Sequence, residues 1–301
     1  MKQLIRITLG LTLSCVIAGS VMGGVFILTA KAKKQNEHMA VQETMLSLLG
    51  YSRANPAPSD LHLYHFYRYV IDEEGNKFLG YMIPVKKGDK VGYGFLVITL
   101  DGNFKAFHPL KISPEAALDE TERTAALKSA LNPSTSMTYA DQTIVAQLDG
   151  KRLAYLLPGE FQGFKTFIKV MLALNPSFRV LGVDILEHEE DPGLGGEIVR
   201  PYFKNQFRGK SYKKLKDLEV VKKPLPQEYR AILEAANGHV NTEDIEKMQE
   251  KWADQDIYAI TGATISSKAV TDGVKGMAKR FVHRIEVLDR VVASRDLSVP
   301  F

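Results

Sequence analysis

Cysteine is scarce in this chain, with one, Cys15, in 301 residues. A single thiol builds no disulfide, zinc cluster or iron–sulfur centre, so redox chemistry here would need an organic cofactor. Concentrated charge is missing too. The net charge of +4 is spread along the sequence, and no Lys/Arg block is interleaved with aromatics, which argues against a nucleic-acid partner. The histidines (His38, His62, His65, His108, His188, His239, His283) are scattered. His62 and His65 could share a helical face, but no third ligand accompanies them, so no metal site is expected. The one tryptophan, Trp252, reads as packing. There is one long uncharged apolar run, the 24 residues Ile7–Ala30. As a helix it would extend about 36 Å, enough to cross a bilayer. It is too long for the apolar region of a signal peptide, roughly 7–15 residues, and it continues well past Cys15. An uncleaved anchor over residues 1–34 is expected. Lys2 and Arg6 flank one end and Lys31, Lys33 and Lys34 the other, so charge alone sets no orientation.

After a polar helical stretch (35–49) and a Pro-containing loop (51–60), aromatic and β-branched runs recur at Leu61–Ile71, Phe78–Val85 and Tyr93–Leu100. Turn residues such as Glu74-Gly75-Asn76 and Asp101-Gly102-Asn103 separate or close them, the signature of antiparallel hairpins. Tyr64, Phe66, Tyr67 and Tyr69 are read as core. Ser113–Asn132 reads as an amphipathic helix with Pro114 in its first turn. Further strands are expected at Leu153–Leu157, Phe164–Leu174 and Phe178–Leu186. The fold class expected is therefore α+β: an N-terminal transmembrane helix, then a mostly antiparallel sheet with flanking helices. By sequence the chain divides into 1–34, an α+β part 35–149, a second domain 150–290 and a tail 291–301. A charged insertion at about 210–254 interrupts the second domain, with helices over Gln227–Ala236 (ended by Asn237-Gly238) and Asp244–Trp252.

Two stretches of that second domain carry candidate chemistry. The first is Glu190-Asp191-Pro192-Gly193-Leu194-Gly195-Gly196. Pro192-Gly193 fits a type II turn, in which Gly193 supplies the positive φ. Gly195 and Gly196 would let a flat ligand approach the backbone, with Leu194 covering its face. An ordinary Gly-rich hairpin explains the same residues, and Glu187, Glu189, Glu190 and Asp191 read as a solvated acidic loop. The second stretch is Thr261-Gly262-Ala263-Thr264-Ile265-Ser266-Ser267, after a short strand and before a helix expected to start at Ser266 or Ser267. Val270, Val274, Met277, Phe281, Ile285 and Leu288 mark that helix's apolar face. Hydroxyls at a helix N-terminus suit an anion, and Gly262 and Ala263 leave room for one. A plain Ser/Thr cap accounts for the pattern equally.

Together these motifs resemble the FMN-binding domain of the G subunit of the Rnf electron-transport complex, a domain shared with the C subunit of the sodium-pumping NADH:quinone reductase. The likeness runs from about Gly150 to Val282 and includes Tyr202–Lys210. Two departures stand out: Asp191 replaces the family's Thr before the Pro-Gly-Leu-Gly turn, and Tyr258 replaces the acidic residue six positions before the modified Thr. The resemblance implies FMN joined by a phosphoester to Thr264, with Thr261, Gly262 and Ala263 forming its turn. Ser266 and Ser267 would serve the phosphate or cap the helix, and Gly193, Leu194 and Gly195 would contact the ring. It also implies a separate magnesium-dependent flavin transferase, neighbouring subunits of an ion-translocating complex, and a flavin domain outside the cytoplasm at the bacterial inner membrane. A flavin-free anchored adaptor is the reading that remains if both glycine turns are merely structural.

Overall fold

The computed structural model describes residues 1–88, 90–235 and 251–301. The helix stop expected at Asn237-Gly238, His239 and most of the helix expected over Asp244–Trp252 lie outside the described residues. The chain forms two compact units, residues 1–47 and 48–301. In the first, helix α1 (Lys2–Leu48) is continuous through the stretch expected to be separately helical and polar. Its segment Gln3–Ala30, with mean hydropathy 2.1, is long and apolar enough to cross a membrane.

The second unit is built on one eight-stranded sheet in the order β4-β3-β2-β1-β5-β6-β7-β8. Its strands are β1 His62–Glu73, β2 Asn76–Lys87, β3 Lys90–Thr99, β4 Phe104–Leu110, β5 Ser136–Leu148, β6 Lys151–Gln162, β7 Phe167–Leu174 and β8 Val180–Glu187. Every neighbouring pair is antiparallel. The expected hairpins are present, with Gly75 and Gly102 at positive φ in two of the turns. Strands β4 and β5 go beyond the expected set. Pro109 is accommodated in β4 because β4 is an edge strand. The first half of β5 is polar and exposed, so it lacks the apolar alternation that reveals a strand.

Alternation along β1–β3 feeds two cores, because successive side chains leave opposite faces. Phe66, Tyr81, Ile83, Leu96 and Ile98 join one cluster, while Tyr67, Tyr69, Met82, Phe95 and Val97 join the other. The second cluster is closed by helix α2 (Glu120–Ala130). This helix begins later than the expected Ser113, because Asp119 caps it by accepting from the Thr121 and Glu122 N–H groups (2.8 and 3.2 Å). Residues 116–118 form a separate 3-10 turn before it. The boundary expected between 149 and 150 falls inside the β5–β6 hairpin. The two stretches thus share one sheet, since strands on either side of that turn pair with each other.

After β8 come a 3-10 turn (Gly195–Val199), short helices α3 (Pro201–Lys204) and α4 (Tyr212–Lys216), strand β9 (Val220–Val221), helix α5 (Gln227–Ala235) and strand β10 (Ile257–Tyr258). Strands β9 and β10 pair in parallel. Helix α6 (Thr264–Ser294) then covers the first cluster, burying Val270, Val274, Met277, Phe281, Ile285 and Leu288 as their spacing requires. It lies along β6 in the opposite sense: Gly273 faces Phe161, Gly159 faces Met277, and Arg152 pairs with Asp289.

Candidate functional site

The N-terminus of α6 is built by the turn that precedes it. The Ala263 N–H donates to the Ile260 carbonyl (2.9 Å), and Gly262 sits at φ +78°. A residue with a Cβ would be strained in that conformation. The helix begins at Thr264, two residues earlier than the expected Ser266, and Ala263 occupies the cap position with no side-chain cap. The N–H groups opening α6 therefore have no side-chain acceptor, leaving the positive end of a 31-residue helix beside the half-buried Thr264.

The two serines that follow point inward. Ser267 is fully buried; its hydroxyl accepts from the Ile260 N–H (3.0 Å) and donates to the Ala263 carbonyl (2.9 Å). It thus closes the Ile260–Ala263 turn from beneath. Ser266 is also buried and donates to the Glu190 carboxylate. Glu190 is only 5% exposed, and its other oxygen accepts from the Phe164 and Lys165 N–H groups (2.8 and 3.2 Å). The reading of Glu190 as part of a solvated loop is corrected here. Its neighbours do reach solvent: Asp191 pairs with Lys165 at 2.5 Å, raising the lysine's pKa, and Glu187 pairs with Lys169. Glu190 alone turns inward, tying the β6–β7 loop, the Gly-rich turn and α6 together.

The Gly-rich turn lies directly against this loop. Pro192 and Gly193 hold its central positions, with the Leu194 N–H donating to the Asp191 carbonyl (3.1 Å) and Gly193 at φ +75°, as a type II turn requires. Leu194 Cδ2 lies 3.0 Å from where a Gly262 Cβ would sit, so the two glycine turns touch. The glycines serve a different purpose from the one expected. A Cβ on Gly195 would fall 2.6 Å from both Glu190 Oε2 and Ser266 Oγ, and one on Gly196 would fall 3.0 Å from the Asp191 carbonyl oxygen. Their missing side chains make room for the protein's own clamp, whereas Gly193 faces open space. Leu194 and Ile265 are 46% and 61% exposed beside Thr264, which gives the site an apolar surface.

Behind the loop, two side chains that sequence reasoning does not single out fix strand β10. The Gln206 amide accepts from the Tyr258 N–H (2.7 Å) and donates to the Tyr258 carbonyl (3.2 Å). Lys210, fully buried, donates to the carbonyls of Ala253 (3.1 Å) and Gln255, and burial followed by the nearby Lys214 charge lowers its pKa to about 8. Phe203 and Phe207, at the same i, i+4 spacing, are buried beside them; polar residues threaded among such aromatics are the available signal. Asp256 pairs with Lys214 (2.7 Å) and accepts from the Glu219 N–H. Burial opposes its charge, yet these contacts hold its pKa below the usual carboxylate value. Trp252 stacks on Tyr229 at 4.4 Å.

These residues coincide with a known sequence family. Residues 163–279 match the FMN-binding domain family. The chain is also similar to two curated relatives. The G subunit of the proton-translocating ferredoxin:NAD(+) oxidoreductase complex of Clostridium ljungdahlii is 34% identical over 130 residues, 43% of this chain and 54% of that protein. The G subunit of the Na(+)-translocating ferredoxin:NAD(+) oxidoreductase complex of Acetobacterium woodii is 28% identical over 134 residues, 44% of this chain and 51% of that protein. The chain thus spans about half the length of the curated relatives it matches. Among solved structures it is similar to Shewanella oneidensis NqrC (23% identity, TM-score 0.35, 58% of this chain and 72% of that one). It is likewise similar to the C subunit of a Na(+)-translocating NADH-quinone reductase from Parabacteroides distasonis (20%, 0.35, 66% and 77%). The expected resemblance to the Rnf G subunit, carried by the Pro-Gly-Leu-Gly and Thr-Gly-Ala-Thr motifs, is borne out.

Proposed function

We propose that this chain is the membrane-anchored flavoprotein subunit of an Rnf-type ion-translocating electron-transport complex, with FMN esterified through its phosphate to Thr264. The observation that carries the reading is the uncapped N-terminus of α6 with Thr264 as its first residue and a second glycine turn packed against Gly262. The residues suit the group. Unpartnered N–H groups and the helix dipole favour a phosphate, the positive-φ Gly262 keeps the approach clear, and Leu194 and Ile265 offer apolar cover for a ring. In this reading Thr264 holds the phosphate, Thr261, Gly262 and Ala263 shape its turn, and Gly193 and Leu194 meet the ring. Ser266, Ser267 and Gly195 hold the loop rigid from behind. FMN supplies the electron chemistry when bound; the chain supplies attachment, orientation and shielding.

No base is hydrogen-bonded to the Thr264 hydroxyl among the described residues, so a separate flavin transferase is part of the proposal. The α1 span would anchor the chain in the lipid of the inner membrane, with the flavin domain on its outer side among partner subunits of the complex. Membership of a sodium-pumping NADH:quinone reductase is the neighbouring reading, distinguished by which subunits co-purify. The test of attachment is co-expression with a flavin transferase. Wild type should gain the mass of FMN less one water and fluoresce in a denaturing gel, while Thr264→Val, a near-isosteric change, should show neither. A wild-type chain that stays colourless beside an active transferase overturns the proposal and leaves an anchored adaptor.

A further inference from the structure

Away from the glycine turns, α6 and the sheet flank an open cleft of about 590 Å³ between the helix face Met277–Leu288 and strands β1, β2 and β5–β8, with Arg280 exposed at its mouth. Arg280 lies 16 residues past Thr264, about 24 Å along the helix axis, so this space is separate from the flavin loop. We propose that it is a second binding site, for a small organic anion with an apolar body.

Charge and shape both support this. Arg68 grips Asp141 with two hydrogen bonds (3.0 and 2.6 Å), and Arg284 reaches the same carboxylate from α6 (2.8 Å). Arg280 sits one helical turn before Arg284 and has no ion-pair partner among the described residues. Like charges at i, i+4 repel, and one carboxylate is shared by two of the three guanidiniums. Glu160 also lines the cleft, and so does Lys169, which is paired with Glu187. With Lys169 counted as neutralised, the lining still carries more cationic than anionic groups. Burial first, then the Arg68 charge, lowers the Arg284 pKa, whereas the Asp141 contacts outweigh burial at Arg68 and raise its pKa. An incoming carboxylate or phosphate ester would meet planar guanidinium donors suited to bidentate contact. Beyond them the wall is apolar: Phe66, Leu157, Val170, Phe281 and Leu288. The volume lies within the usual range for small-molecule sites, roughly 300–1,000 Å³, and is too small for a whole two-chain lipid.

The polar residues of β5 gain a reason from this assignment. Tyr139, Asp141 and Gln142 line the cleft in the strand half where apolar alternation fails. A strand whose only task was to fill a core would not need them.

The test uses the full-length chain in phosphatidylcholine nanodiscs, titrated calorimetrically with 4-phenylbutyrate and its neutral counterpart 4-phenylbutanol. The acid should bind saturably and at least about tenfold more tightly than the alcohol, and Arg280→Gln should cut its affinity by roughly tenfold. Arg280 has no ion pair to lose, so that variant should melt like wild type and accept FMN normally, which separates this test from the attachment proposal. Equal affinity for acid and alcohol, or unchanged affinity in Arg280→Gln, overturns it. Repeating the titration in phosphatidylglycerol discs identifies the source of the anion. Arg280-dependent competition points to a lipid headgroup entering from the bilayer, and its absence points to a soluble metabolite.

Discussion

The N-terminal end and the middle of α6 face similar electrostatic tasks and meet them with different materials. At Thr264 positive potential comes from backbone N–H groups and the helix dipole, framed by glycines and held by the buried Glu190–Ser266 pair and by Ser267 beneath the turn. Near Arg280 and Arg284 it comes from long side chains around a shared carboxylate. Backbone donors cannot swing away, so the N-terminal end is suited to fixing one group in one place. Guanidiniums on flexible stems suit a ligand that enters and leaves. The contrast predicts that damage at the N-terminal end is structural and large, while damage in the middle is functional and small.

The largest effect should come from Gly195→Val, which drives methyl groups into the space held by Glu190 and Ser266. Overpacking with loss of a buried hydrogen bond is worth about 3 kcal/mol, or roughly 6–12 °C in melting temperature for a unit of this size. Thermal unfolding followed by circular dichroism measures it, and FMN incorporation should fall with it. A variant as stable as wild type would break the comparison at its rigid end.

Lys210→Met should cost about 2 kcal/mol by leaving the carbonyls of Ala253 and Gln255 without their donor. It also carries a pH signature. The folded-state pKa of about 8 lies below the ordinary lysine value of 10.5, so the unfolded chain binds more protons between those values. Wild type therefore gains stability from this residue as the pH rises from about 8 towards 10.5. The melting-temperature gap over Lys210→Met should widen across that window; a constant gap would show that burial does not perturb Lys210.

Ser267→Ala strands the buried Ile260 N–H and should cost about 1–2 kcal/mol, read from a denaturant midpoint. Arg280→Gln is expected at the bottom of the scale, within about 0.5 kcal/mol of wild type, because no ion pair of Arg280 is lost.

What can be read in the sequence follows periodicity. The β1–β3 alternation and the α6 stripe are legible because every second or every third-to-fourth residue is apolar. The start of α6 is not, because the Ser266 and Ser267 hydroxyls look like caps yet bond to Glu190 and to the turn above them. Gly195 is legible as a residue that must be small but not as to why, since the oxygens filling its space come from 5 residues before and 71 residues after it. Glu190 is hidden among three acidic neighbours that do face solvent. Strand β5 is hidden by its own polarity, and long-range partners such as Asp141 with Arg284 leave no local mark.

The pairing of β6 with β7 has a practical consequence for anyone wishing to transplant the stretch that matches the FMN-binding domain family. A graft cut at residues 163–279 would carry β7 without β6 and leave a naked ladder of amide and carbonyl groups along its border. Such a border recruits other chains, so excised fragments should clump, and a usable chimera must bring the whole sheet with it.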